Sequence, residues 1–300
     1  MDISLLFNEA VDSTSERMGL IAGIVLISLI GYEWLMGRYR DGRKTREDWA
    51  MGFISISMLA VVQRPLLMVI IFLGLSTMFP AGAESLRWLE LAYFWPTIIG
   101  YCLIDEYLHG RAHLFAHVAP VETPWLRKIQ NFYKRAHRPH HQIGGNDGRG
   151  ELSVTHTYVE HWGWWLILPN YWFGIICLYL GLYETFFWGT LVKTLWGMHV
   201  HTNWGQSYDL YLLNHSNAWV RKLTYAVCHV FTLPNMHHQH HSRSQNSAKN
   251  MTNFISVFDW LLWDTLVIEQ QRPETYGWRQ TPREEHSALY RYFHTNFKNL

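Results

Sequence analysis

Residues 18–36 read MGLIAGIVLISLIGYEWLM, apolar throughout except for Glu33 near the end, and about the length a helix needs to cross a bilayer. Such a run must be buried either in a large core or in lipid. The residues before it include Asp2, Glu9, Asp12 and Glu16, the wrong charge for the start of a signal peptide, so the run is expected to be retained. Arg38, Arg40, Arg43, Lys44 and Arg46 follow it. A basic loop beside a span lies on the cytoplasmic side, which places the N-terminus outside. Residues 51–79 form a second apolar segment, interrupted by Gln63-Arg64-Pro65, where Arg64 either snorkels or faces a pocket. Residues 88–108 form a third, rich in Trp and Tyr, which returns to the cytoplasmic side at Asp105. Trp162 to Met198 is a further apolar block that Gly181–Glu184 divides into a hairpin. The expected fold is therefore all-α. It is one domain over residues 1–300, an integral membrane bundle of four or five hydrophobic helices. Residues 200–300 add a cytosolic helical cap, with an interfacial segment around Phe254 to Ile268.

Composition narrows the classes. Lys and Arg number 25 against 24 Asp and Glu, so the basic excess of a nucleic-acid binder is missing. Cys102, Cys177 and Cys228 are too scattered for a disulfide framework, a redox pair or a cysteine-based zinc site. Histidine is the outlier, at 18 residues, and it clusters.

His109-Gly-Arg-Ala-His113 ends the third apolar segment. Spacing of i, i+4 puts both imidazoles on one helix face, as two ligands of one metal require. Asp105 lies one turn earlier on that face and His117 one turn later. His137-Arg-Pro-His140-His141 repeats its spacing in His237-His238-Gln-His240-His241. Adjacent histidines on a helix point in different directions, so His140 and His141 can reach two metals, or one metal and one supporting partner. His201-Thr-Asn203 and His215-Ser-Asn217 lie between the two repeats. The topology puts all these clusters on one membrane face. Imidazole suits zinc, copper, iron and nickel, and this many ligands exceeds one site and suggests two metals. A purification-type tract would be contiguous and on a tail, and a transporter would place its histidines inside the spans. His156, His161, His229, His286 and His294 read singly as structural or surface residues.

Asp105 to His113, His137 to His141 and His237 to His241, in that order and each after an apolar segment, resemble the fatty acid hydroxylase/sterol desaturase superfamily of membrane di-iron enzymes. Thr232-Leu-Pro-Asn-Met and the closing Asn253…Asp259…Thr265 segment support the resemblance, which covers roughly residues 90–267. Trp263-Asp264 stands where many members have Phe-Gly. The resemblance implies two irons, which zinc can replace in purified protein. It assigns His109, His113, His137, His140, His141, His237, His240 and His241 as ligands. His201 completes the set, with His215 as its competitor. Asp105 is expected either to orient a ligand imidazole or to form a salt bridge with Arg111 or Arg135, and Asn203 to orient the site.

The implied activity is O2-dependent hydroxylation of a fatty acyl, sterol or related lipid drawn from the bilayer. No carrier domain is fused, so electrons must come from a separate reductase or electron carrier. The basic loop and Arg243, Lys249 and Arg272 either dock that carrier or sit beside lipid headgroups. Gly144–Gly150 is either a lid or a surface loop. Desaturation with the same site, a zinc-bound lipid hydrolase and a histidine-rich membrane metal-binding or transport protein stay open as alternatives.

Overall fold

The computed structural model describes residues 9–40, 44–142, 150–277 and 288–293. The Gly144–Gly150 loop, apart from its last residue, lies outside the described residues, as do Arg43, His286 and His294. The protein is all-helical. Among the described residues there is no strand, only one isolated antiparallel bridge between Ser242 and Tyr276.

The apolar half begins with α1 (Glu9–Leu35), α2 (Arg46–Met58) and α3 (Arg64–Met78). Thr45 opens α2 with a capping box: its hydroxyl accepts from the Asp48 backbone, and the Asp48 carboxylate accepts from the Thr45 N–H. One π turn, Leu59–Gln63, joins α2 to α3 without a break. Next come α4 (Arg87–Ala92), α5 (Phe94–His117), α6 (Pro124–His141) and the short α7 (Trp164–Ile167). The hairpin of α8 (Pro169–Tyr179) and α9 (Tyr183–Val200) turns through Gly181, whose φ of 90° is one that glycine adopts without strain. The cap holds α10 (Asn203–Leu213), α11 (Ala218–Val230), α12 (Pro234–His240) and α13 (Val257–Leu261), and α14 (Ala288–Phe293) packs on α2.

Among the described residues two helices are long and apolar enough to cross a membrane, Glu16–Leu35 and the continuous Arg46–Met78. The other apolar segments are shorter or mixed. At 11 residues α8 spans only about 16 Å, and α5 carries Asp105, Glu106 and its histidines along its length. Apolar side chains stay on the outside: Leu20, Ile27, Phe53, Leu91 and Trp95 are each more than half exposed. The interior of the apolar half is a cluster around Leu67, Phe72, Tyr101, Leu178 and Phe187, where α3, α5, α8 and α9 meet.

One carboxylate ties the first long helix to the cap. Glu33, buried near the end of α1, accepts from the backbone N–H groups of Val154 (3.2 Å) and Asn203 (3.1 Å) and from the Tyr39 hydroxyl (2.6 Å). That explains the single charge in the first apolar run: a buried carboxylate is tolerated when its oxygens are satisfied.

Candidate metal centre

Nine imidazoles meet where α5, α6, α9 and α12 end. They form two groups whose ring nitrogens lie within 4.8 Å of one another, and each group could hold a metal ion. One contains His113, His117, His137, His141 and His240. The other contains His140, His201, His237 and His241. The groups touch: the rings of His141 and His241 stack at 4.4 Å. Both adjacent pairs are divided between them. His140 and His141 face different groups, and so do His241 and His240, as the turn angle between successive helical residues requires.

The supporting bonds fix which nitrogen each ring presents. A carbonyl can only accept, so an imidazole nitrogen bonded to one must carry the proton. His113 Nδ1 donates to the Met251 carbonyl at 2.7 Å, and His240 Nδ1 to the Lys249 carbonyl at 2.9 Å. His140 Nδ1 donates to the Val159 carbonyl at 3.2 Å and His201 Nδ1 to the Gly197 carbonyl at 2.6 Å. His137 Nδ1 lies 3.0 Å from the Glu160 carboxyl and donates to it when that group is ionised. All five rings therefore turn their Nε2 inward. Burial holds the imidazoles neutral: the pKa values of His113 and His201 are lowered to about 4, and those of His137, His140 and His240 fall well below the usual value.

Bare nitrogens consequently face each other. In the first group His113 Nε2 lies 2.9 Å from His137 Nε2; in the second His140 Nε2 lies 3.3 Å from His201 Nε2. His113, His140 and His201 have no Nε2 proton to share, and His137 has none opposite an ionised Glu160, so the lone pairs repel unless a cation sits against both. His240 Nε2, buried, also has no hydrogen-bond partner. This donor set fits a metal ion in each group: neutral imidazoles, Nδ1 protons anchored outside, lone pairs converging inside.

The anchoring segment has its own support. Asp259 accepts from the Met251 N–H (2.7 Å), the Thr252 N–H (3.0 Å) and the Thr265 hydroxyl (2.6 Å), and also from the Thr252 hydroxyl. Glu106 accepts from the Asn253 and Phe254 N–H groups at 2.6 and 3.0 Å. Asn250, with φ of 52°, turns the chain between the two carbonyls that hold His240 and His113. Asp264 has φ of 53°, a conformation that Asp tolerates better than most residues. Its neighbour Trp263 lies on Gly110, where a Cβ would come within 2.5 Å of the indole ring.

Several expected residues lie elsewhere. His109 is in neither group. It sits one turn, about 5.4 Å, back along α5, and the pair that reaches the other histidines is His113 and His117. His215 lies in the loop before α11, where its Nδ1 accepts from the Asn217 N–H, while His201 is in the second group. Asp105 reaches no ligand imidazole and neither Arg111 nor Arg135. It pairs with Lys193 and accepts from Asn170 at 3.2 Å, because two helical turns separate it from His113. Asn203 begins α10, and its amide donates to Glu151 at 2.9 Å, so it supports the fold beside His201. The sequence reading leaves His117 unassigned, although it continues the four-residue series from Asp105. It also passes over Glu160, whose carboxylate lies 3.0 Å from His137 and 3.8 Å from His140, one in each group.

Fold and site together define an all-helical protein with two apolar helices of membrane-crossing length and a buried double histidine cluster suited to metal. No family model matches the chain, and no curated protein or solved structure is significantly similar to it.

Proposed function

We propose that the protein is a membrane-embedded, O2-dependent hydroxylase that acts on a lipid and binds two irons in its paired histidine groups. The observation that carries this reading is the facing of unprotonated Nε2 atoms in two adjoining groups, His113 with His137 and His140 with His201. The order of the histidine segments, similar to the hydroxylase/desaturase superfamily, supplies the reaction class. Iron held there would supply the redox chemistry that O2 and an aliphatic C–H bond require.

The chain's own residues do the rest. Met251, Lys249, Val159 and Gly197 carbonyls and the Glu160 carboxylate hold the Nδ1 protons and so aim the Nε2 atoms. Burial keeps bulk water from the imidazoles. A cavity reaching His113, His137, His140 and His201 runs back between α3, α5, α8 and α9, and offers the lipid a path from the bilayer. In this reading α5 and the α8–α9 hairpin join the two long helices in the membrane, the histidine groups lie at the cytoplasmic face, and a separate reductase or electron carrier delivers electrons.

The test is elemental analysis of untagged, detergent-purified protein beside the variant His137→Ala/His140→Ala/His141→Ala. About two metals per chain, iron among them and lost in the variant, are expected for an all-imidazole double site. The hydroxylated lipid should form only with O2 and a reductant. Zero metal, or metal unchanged in the variant, overturns the reading. Product formed without O2 also overturns it and moves the assignment to a metal-dependent hydrolase.

A further inference from the structure

The cavity beside the histidines follows one face of α9. Phe186, Thr190, Thr194, Gly197 and His201 line it in succession, a stripe that rises about 22 Å. Tyr101 stands beside Phe186 at the far end, packed so closely on Gly189 that a Cβ there would lie 2.2 Å from its ring. Arg64, Tyr158 and Tyr171 also face the cavity.

Two cations look into this space, and they differ. Lys193 is engaged by Asp105 and lies 3.0 Å from Glu106. Arg64 has neither a carboxylate at ion-pair distance nor a hydrogen bond among the described residues, and the hydroxyls of Tyr158 and Tyr171 likewise have no partner there. The guanidinium is near enough to act electrostatically on both phenols. Arg64 is also the first residue after the π turn in the otherwise apolar Arg46–Met78 helix. A π turn inside a helix re-aims the side chains that follow it, and such turns gather at functional positions. An arginine in such a helix is costly unless it meets a counter-charge, and marks a functional site when it faces a cavity. One planar fork of donors and two phenolic O–H donors beside an apolar channel match an oxyanion attached to a chain.

We propose that Arg64, Tyr158 and Tyr171 form a subsite for one oxyanion, and that the substrate is a single-chain amphiphile with a carboxylate or phosphate head there and its chain along α9. This rests on the hydroxylase reading for the word substrate, but not for the binding itself. Tyr158 is two residues from Glu160, which holds His137, so the head lies at the histidine end and the chain's tip at Tyr101.

The test is binding to the full chain in nanodiscs of neutral phosphatidylcholine. Radiolabelled decanoate is displaced by decyl phosphate, decanol or decyltrimethylammonium. Both anions should bind at least about tenfold more tightly than the alcohol, the scale of a hydrogen bond to a charged group. In Arg64→Gln that preference should vanish, and in Arg64→Lys part of it should survive. Metal content and melting temperature of Arg64→Gln should match those of the parent. If Arg64→Gln folds poorly, Tyr158→Phe/Tyr171→Phe decides, and should lose several-fold in anion binding alone. Equal binding of all four probes, a preference that survives in Arg64→Gln, or a preference undiminished in the double tyrosine variant, overturns the subsite. Two metals per chain with no head preference would sink this proposal and leave the hydroxylase reading standing; head preference in a chain that holds no metal would do the reverse.

Discussion

The two halves of this molecule are inverted in opposite senses. Helix α1 turns Leu20, Ile24 and Ile27 outward, while the ends of α5, α6, α9 and α12 turn eight buried imidazoles and the half-buried His117 inward. Ordinary soluble domains do neither on this scale. Under the proposed function each inversion has its own compensating partner: lipid for the exposed apolar face, and a cation for lone pairs that face one another. Each half can therefore be tested by altering what its partner would meet.

The largest effect belongs to the buried half. Asp259→Ala removes the acceptor for two backbone N–H groups and two hydroxyls, and should cost about 3–5 kcal/mol of stability in denaturant melts, because it strands buried donors. Metal content should fall with it; a melt unchanged within error would show that the 251–254 segment is held by something else. The apolar half is next. Ile27→Asp, at a position 71% exposed, should oppose membrane insertion by about 3 kcal/mol if lipid covers α1. Membrane fractionation reads this directly, and a variant that integrates as well as the parent would return α1 to water.

Glu160→Gln sharpens the comparison within the histidine half, because it keeps the shape and removes the charge that holds His137. Metal affinity measured by chelator competition should fall about 10–100-fold. The last test is the pH dependence of the metal-free chain. Folded pKa values of His113 and His201 near 4 lie below the ordinary 6.5, so the unfolded state takes up more protons between those values. Their contribution is fully present above about pH 6.5 and is lost as pH falls toward 4. Asp209, pushed up to about 7 by burial, works in the opposite sense, as do the Glu160 and Asp259 carboxyls that burial also raises, but the histidines outnumber them. The melting temperature should therefore drop between pH 7.5 and pH 5, and a rise would mean that the imidazoles are not held neutral.

Much of the site was legible because histidine spacing carries geometry. The two copies of His-x2-His-His predicted that adjacent histidines would diverge, and they face different groups. Choosing His109 over His117 is an error of one helical turn, since an i, i+4 series has no internal marker for where the neighbouring helices cross it. The spacing puts Asp105 on the histidine face of α5 but gives no sign of its partner, because Lys193 is 88 residues away and only packing brings it near. The run at 88–108 reads as one helix by hydropathy, yet α4 ends at Ala92 and α5 starts at Phe94. Glu160, the anchoring carbonyls and the register of the 249–253 segment have no sequence signal, because they act through tertiary contact.

Those carbonyls have an evolutionary consequence. Lys249 and Met251 contribute to the cluster only through main-chain oxygens, which every amino acid possesses. The Lys249 side chain, partly exposed, can drift without removing its acceptor, whereas Met251, fully buried, is also held by its packing. The information for holding His240 and His113 resides instead in Asn250, which sets the turn, and Asp259, which clamps it. A lineage could thus change a residue whose carbonyl holds an imidazole while two positions that touch no imidazole stay fixed.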